Sequence, residues 1–390
     1  MFRYVEDLAE KIGPRGSTTR AERTAAQYLK AELQIGADTV EVQPFKSVPT
    51  FSWAFGLHYL LMALAAFGLG FWPMLAAVVA LVNGAGYLLE SYTYEFFTRI
   101  LPKNKSQNVL AKKSLRSTDA EKLPRIIIVA HYDTSRSGLN FHPNLVAGFR
   151  KSFIVLNVSM AVITILAFFA GVAALAGLEL PGWYPWLALP FGLYLLVVFG
   201  MLVHRELFGV HVAGGNDNAS GVAVMLHSFN ELAQTLPEGA EVWALATGCE
   251  EAGTVGMLRF LEEYGEEIRD DYIINLDNLG IGNVKYIDGE GLFSPMPADR
   301  DLVLAAAAFA RSNPDLTVGP HVYQALTTDA TPALVRGYKT MSIMAFTEDG
   351  ILPHWHWPTD KAENVSLQNL ATASKLVQSI ARQLWGQEYR

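Results

Sequence analysis

Gly214-Gly215-Asn216-Asp217-Asn218-Ala219-Ser220-Gly221 runs directly into Val222-Ala223-Val224-Met225-Leu226. Paired glycines let a backbone turn sharply, and the Asx/Ser cluster supplies helix-capping side chains ahead of an apolar helical face. The stretch reads as a loop entering a helix N-terminus, with the Asp217 carboxylate at the junction. Taken alone, Asp217 is as readily a plain helix cap as a functional group. Its neighbours along the chain decide.

Outward from this loop, continuous apolar runs read as strands at 108–111, 126–130, 241–246, 271–276 and 339–345, with an alternating strand at 39–45. Helical patterns lie at 220–234, 254–264, 299–311 and 367–385. Near the N-terminus, Val5, Leu8, Ala9 and Ile12 are helically spaced, and a second helix is expected after Ser17-Thr18-Thr19. Apolar strands separated by helices indicate an α/β fold, a mixed, mostly parallel sheet covered by helices on both faces.

The residues able to do chemistry lie just past these strands. His131-Tyr132-Asp133 follows 126–130, Gly248-Cys249-Glu250-Glu251 follows 241–246, and Asp277-Asn278 follows 271–276. In open α/β sheets ligands bind outside the carboxyl ends of the strands. Pro353-His354-Trp355-His356-Trp357-Pro358-Thr359-Asp360 comes near the C-terminus. Imidazoles and carboxylates are ligands that zinc accepts, and two such ions can share one carboxylate. A further carboxylate beside them can take a proton from water. Each residue also has an ordinary reading: His131 as a strand-end histidine, Glu250-Glu251 as the acidic opening of a helix, Asp277 as a turn residue.

Composition adds a membrane. The chain of 390 residues is 51% apolar and only 17% charged, which is unusual for a wholly soluble protein. Its net charge of -8 argues against nucleic acid, and the one cysteine, Cys249, excludes an internal disulfide and fits a reducing compartment. Runs at 55–71, 74–89, 153–178 and 183–203 are apolar and close to membrane-helix length, with Trp53, Trp72, Tyr92, Trp183, Tyr184 and Trp186 near their ends. They form two hairpins, 51–92 and 151–203, giving four expected transmembrane helices inserted into one domain built from 1–50, 93–150 and 204–390. Lys46, Arg99, Lys103, Lys105, Lys112, Lys113, Arg150, Lys151 and Arg205 flank them on the side opposite the hairpin loops. The positive-inside rule puts that side, with the soluble domain, in the cytoplasm. The polar start before the first run does not fit a signal peptide.

The set His131-x-Asp133, Asp217-Asn218-Ala219-Ser220-Gly221, Glu250-Glu251, Asp277 and His356-x-Pro358-x-Asp360 resembles the M28 family of co-catalytic zinc metallopeptidases, which includes bacterial aminopeptidases. The resemblance covers about 1–50, 105–138 and 210–385. Each motif is weak alone; five in family order are specific. The resemblance implies two Zn2+ ions, with Asp217 bridging, His131 and Asp277 on one ion, and Glu251 and His356 on the other. It implies Glu250 as general base toward the water between the ions, and Asp133 as the partner that holds the His131 ring. Asp360 would serve similarly near His356. His356 is preferred to His354 because only His356 precedes the x-Pro-x-Asp pattern. Where the family often has Ser-Asp-His, this chain has Thr328-Asp329-Ala330, so Asp329 and His354 are candidates for the substrate pocket.

These readings describe a multi-pass membrane metallopeptidase, implied to sit in a bacterial inner membrane, acting on N-terminal peptide bonds. The second hairpin falls between His131 and Asp217, which suits an apolar or membrane-associated peptide or amide substrate. Other readings are a carboxypeptidase or N-acyl amino acid deacylase on the same site, one-zinc glutaminyl cyclisation, and a catalytically silent receptor or scaffold. A transporter has little support, since the runs contain few ionisable residues, His58 among them.

Overall fold

A computed structural model describes residues 1–116 and 121–386. The chain divides into two compact units, Met1–Pro49, Lys103–Ser137 and Val210–Arg390 forming one, Thr50–Pro102 and Gly138–Gly209 the other. The first contains one nine-stranded sheet: β1 (Thr39–Ser47), β2 (Asn104–Ser114), β3 (Ile126–His131), β4 (Glu241–Thr247), β5 (Tyr272–Leu276), β6 (Asn283–Glu290), β7 (Met296–Pro297), β8 (Gly319–Tyr323) and β9 (Lys339–Phe346). Their order is β1-β2-β4-β3-β5-β9-β6-β7, with β8 also paired to β6.

The four central strands, β4-β3-β5-β9, are parallel. Their apolar runs are buried almost end to end, as a sheet covered on both faces requires. Along β3, Ile126, Ile128 and Ala130 join one apolar core, while Ile127 and Val129 join the other. This is the two-residue period of a strand with both faces buried. Gly221–Gln234, Arg300–Ser312 and Leu367–Leu384 contribute to the first core, and Val255–Tyr264 to the second.

The sheet departs from the mostly parallel expectation. β1/β2, β2/β4, β6/β7 and β6/β9 are antiparallel, as many pairings as the parallel β3/β4, β3/β5, β5/β9 and β6/β8. β6, β7 and β8 have no counterpart in the strands read from the sequence. Polar and glycine residues interrupt the apolar pattern of β6 and β8, and β7 is only two residues long, which removes the signal of a buried run.

Register sets up the site. His131 at the end of β3 pairs with Thr247 at the end of β4, and Val129 pairs with Asn275 of β5. The residues that follow these parallel strands, Glu250-Glu251 and Asp277, therefore leave the sheet at the same edge as His131.

The second unit holds four apolar helices. Pro73–Ser91, Phe149–Leu175 and Leu189–Phe208 are long and apolar enough to cross a membrane, and the shorter Ser52–Gly68 has 17 residues. The first run thus yields a shorter helix than the other three, because the chain turns at residues 69–72 before Pro73 begins the next helix. Within the unit, Pro73–Ser91 packs on Phe149–Leu175 and Ser52–Gly68 on Leu189–Phe208. Small residues set the spacing: a Cβ on Gly171 would come within 2.6 Å of Ala77 Cβ, and one on Gly192 within 2.8 Å of Ala66 Cβ. Leu64, Val78, Val82, Ile165, Phe169 and Val197 are exposed, as side chains that face lipid would be. His58 instead points inward, its Nδ1 2.9 Å from Asn83 Oδ1, while Asn83 Nδ2 donates to the His58 carbonyl.

The helical unit also includes 93–102, 138–150 and 204–209, which lie outside the two hairpins drawn from hydropathy. In the sheet unit the departing and returning chain segments meet. Arg136 pairs with His211, and Ser137 N donates to the Val210 carbonyl.

Candidate active site

The loop at Asp217 is fixed from several sides. Gly214 has φ +64°, a left-handed conformation that glycine adopts without strain, and Gly215 lies so near the Lys361 carbonyl that a Cβ would come within 2.6 Å of its oxygen. The helix does not begin until Gly221, whose N–H is taken by Asn218 Oδ1 at 3.0 Å. Asp217 is therefore not the cap. Asn218 Nδ2 donates to the Leu276 carbonyl, and Ser220 Oγ accepts from Leu279 N, tying this loop to the one carrying Asp277.

Freed from capping, the Asp217 carboxylate faces two imidazoles. Its Oδ1 lies 3.2 Å from His131 Nε2 and its Oδ2 3.1 Å from His356 Nε2. Asp277 Oδ1 is 3.8 Å from His131 Nε2, and Glu251 Oε1 is 3.3 Å from His356 Nε2. Ligand atoms of His131, Asp217 and Asp277 lie within 4.8 Å of one another, as do those of Asp217, Glu251 and His356. All five residues are buried. Glu250 Oε2 stands 4.0 Å from His131 Nε2, farther from an imidazole than Glu251.

The charges are strongly coupled to this geometry. Burial alone would raise the Asp217 carboxyl, but hydrogen bonds from His131 and His356 outweigh it and hold it well below the usual carboxylate range. Burial disfavours charged imidazoles too. The Glu251 charge and the bonds to Asp217 and Glu251 nonetheless lift His356 to about 9, and Glu250 with Asp133, Asp217 and Asp277 lifts His131 well above its ordinary value. Burial pushes Glu250 up; His131 opposes this, while Glu251, Asp329 and Asp277 add to it. The carboxylates outnumber the imidazoles and draw protons onto them. Such a donor set calls for cations.

The distances fit zinc. Ligand atoms about 2.0–2.1 Å from a tetrahedral ion lie roughly 3.3 Å apart, close to the 3.1–3.8 Å separations here. The ligand orientation fits as well. His131 Nδ1 lies 3.2 Å from the Asp133 carbonyl oxygen, and an Nδ1–H donated there leaves Nε2 as the acceptor toward a metal.

The two expected supporting acids bond more widely than the sequence reading expects. The Asp133 carboxylate is 3.6 Å from His131 Nδ1, but its close bonds come from Glu250 N at 3.0 Å, Glu251 N at 3.2 Å and Ser17 Oγ at 2.6 Å. It braces the Glu250-Glu251 turn as well as facing the His131 ring, whose Nδ1 its backbone carbonyl also meets. Asp360 accepts from Asn216 N at 2.6 Å and Asp217 N at 3.0 Å, so it holds the Asp217 loop rather than His356. Burial, with Asp217 adding to it, raises Asp360 to about 7 against these two bonds.

Of the pocket candidates, His354 is exposed and bonded to Thr359 Oγ1 at 2.7 Å, apart from the cluster, while His356 belongs to it. Asp329 is buried beside the cluster. Thr247 Oγ1 donates to its Oδ2, and burial, together with the charges of Asp133 and Asp277, lifts it to about 7 against His131 and that hydrogen bond. Cys249 (φ +55°), Asn278 (φ +52°) and His356 (φ +50°), among other non-glycine residues with left-handed backbones, stand at the site loops. Such conformations persist where the surroundings impose them, and they gather at functional sites.

Sequence reasoning missed Arg15, Glu22 and Glu290. Arg15 is fully buried and donates to the carbonyls of Leu8, Gly13, Tyr132, Ala213 and Gly214, joining the His131 strand end to the Asp217 loop. Burial lowers it to about 10 against the charges of Asp360, Asp133 and Asp217. Arg15→Leu is expected to cost about 3–5 kcal/mol by stranding buried acceptors and uncompensated acids, read as a lowered denaturant midpoint. A midpoint within error of wild type would contradict this. Glu290 accepts from Thr328, Thr331 and Ser342.

The family comparison covers the second half of this site. Residues 201–381, holding Asp217, Glu250, Glu251, Asp277 and His356, match Peptidase family M28. This stretch belongs to peptidase family M28. The chain is by that family a metallopeptidase, and its M28 segment sits on a fold shared with solved exopeptidases. A zinc aminopeptidase from Bacillus subtilis is 15% identical, with a TM-score of 0.57 over 98% of this chain and 94% of that one. An aminopeptidase from Aneurinibacillus sp. strain AM-1 is 14% identical, with a TM-score of 0.57 over 98% and 92%. Porphyromonas gingivalis glutaminyl cyclase is 14% identical, with a TM-score of 0.52 over 98% and 96%. No curated protein sequence matches the chain.

Proposed function

We propose that this M28 chain is a membrane-anchored aminopeptidase that holds two zinc ions around Asp217. The observation that carries the reading is the division of Asp217 between two imidazoles, Oδ1 toward His131 and Oδ2 toward His356. Each imidazole has its own second carboxylate, Asp277 for one and Glu251 for the other. Asp217 would thus be the shared ligand, His131 with Asp277 would complete one ion's set, and Glu251 with His356 would complete the other. Bound there, the metal pair supplies polarisation of the scissile carbonyl and makes water acidic enough to attack at neutral pH.

The chain's own residues do the rest. Glu250, buried beside His131 but farther from an imidazole than Glu251 is, accepts the proton of the attacking water and returns it to the leaving amine. Asp133 keeps Glu250 and Glu251 in their separate roles by binding both of their backbone N–H groups. The apolar helices, three of them of spanning length, support anchoring in a membrane, and the Lys/Arg flanks support a peptidase unit on the cytoplasmic side. The substrate is a peptide with a free N-terminus, and apolar or membrane-associated peptides suit the anchored enzyme.

Metal content per chain of the detergent-purified protein, measured beside hydrolysis of aminoacyl-p-nitroanilides and their N-acetyl counterparts, tests this. Two zinc ions with cleavage of only the free-amine substrates is the expected result. One ion with cyclisation of N-terminal glutamine favours a cyclase, and cleavage confined to acylated substrates a deacylase. A folded, zinc-supplemented chain that retains no metal rejects the proposal.

A further inference from the structure

We infer that Glu22, in the N-terminal helix Arg20–Leu33, is a positioning residue for the catalytic turn Cys249-Glu250-Glu251, acting from a place in the chain outside the M28 match. The inference rests on the peptidase reading for what the turn does, and on geometry for the contact itself. Three consecutive backbone N–H groups of this turn point at protein carboxylates: Cys249 N at Glu22 Oε1 (3.1 Å), Glu250 N at Asp133 Oδ1 (3.0 Å) and Glu251 N at Asp133 Oδ2 (3.2 Å). The next helix begins only at Val255, so these donors are not its unpaired first turn. Without the two acids they would be buried donors lacking acceptors.

Glu22 is itself held. Its Oε1 also accepts from Ser106 Oγ at 2.9 Å and lies 3.2 Å from Cys249 Sγ, while its Oε2 accepts from Thr18 N at 2.9 Å. Ser17 Oγ, in the same segment, donates to Asp133 Oδ2 at 2.6 Å. Residues 17–22 therefore bracket both carboxylates from behind. What the bracket holds is a strained conformation. Cys249 is a non-glycine residue at φ +55°, and its rotation directs Glu250 and Glu251 onto the two oxygens of Asp133. If the Cys249 N–H loses its acceptor, the turn can relax toward ordinary backbone angles and carry Glu250 away from His131.

The test compares wild type, Glu22→Gln and Glu22→Ala as full-length, zinc-loaded protein in detergent. Glutamine keeps an oxygen that can accept the Cys249 N–H; alanine does not. Amide hydrogen exchange of a peptide spanning 247–254 is expected to be slow in wild type and in Glu22→Gln, and at least tenfold faster in Glu22→Ala. In parallel, kcat per zinc-loaded chain is expected to fall roughly 10- to 100-fold in the alanine variant with KM little changed, and to stay near wild type in the glutamine variant. If Glu22→Ala fails to fold, Ser17→Ala replaces it, with faster exchange of the same peptide and a smaller kcat loss expected. Unchanged exchange in the variant that folds overturns the inference. So does equal damage from glutamine and alanine. Exchange that responds as expected in a protein without aminopeptidase activity would leave the bracket standing and reject the peptidase reading instead.

Discussion

Glu250→Gln is expected to lower kcat by about 10²- to 10⁴-fold while leaving both metals bound, the loss typical of removing a general base. The two adjacent acids are separated by geometry. Glu251 Oε1 lies 3.3 Å from His356 Nε2, inside the ligand group around Asp217, whereas Glu250 Oε2 is 4.0 Å from its nearest imidazole. Glutamine preserves the shape of Glu250 and its backbone bond to Asp133, and removes only the proton acceptor. KM should move little, because the substrate contacts remain. Glu251→Gln should behave differently, reducing zinc content on the His356 side as well as rate. Elemental analysis and steady-state kinetics on the two variants, side by side, read the difference. Zinc loss in Glu250→Gln with none in Glu251→Gln would exchange the two roles, and full activity in Glu250→Gln would remove the base altogether.

The parts of this arrangement that were legible in the sequence have a common physical origin. β3, β4, β5 and β9 are buried on both faces, so their composition is continuously apolar and their ends are easily seen. Acids and histidines at such ends stand out against that background. β6 lacks the advantage: Lys285, Asp288 and Glu290 interrupt it, and β8 opens on Gly319-Pro320. Glu22 was hidden for a different reason. Thr19 and Glu22 have the spacing of a helix capping box, and Thr19 does accept the Glu22 N–H at 3.3 Å. A reader of the sequence has no cause to send that glutamate elsewhere. In the fold its carboxylate turns back to Thr18 N and across to Cys249, 227 positions away. Arg15 likewise sits next to a glycine in a polar segment, and only the assembled fold buries it against five carbonyls. Asp360 shows the intermediate case. Its place in the His-x-Pro-x-Asp pattern marked it as a supporting acid, while the loop it supports is set by tertiary contact and proved to be that of Asp217.

Asp217→Ala and His356→Ala are expected to differ in how many ions they cost. Asp217 offers one oxygen to each group, so removing it takes a ligand from both sites at once, and zinc should fall from two per chain toward none. His356 belongs to one group only, so its removal should leave the ion held by His131, Asp217 and Asp277. The difference should also appear as stability. Zinc at a free concentration 100 times its Kd stabilises the folded state by about 2.7 kcal/mol per site, so added zinc should raise the melting temperature most in wild type, less in His356→Ala and hardly at all in Asp217→Ala. Both variants also lose part of the His–carboxylate pairing that holds the metal-free centre together. The comparison is therefore made on the shift caused by zinc rather than on the absolute midpoint. Equal zinc shifts in the two variants, with one ion retained in each, would mean that Asp217 serves a single ion, and the two-zinc assignment would fail with it.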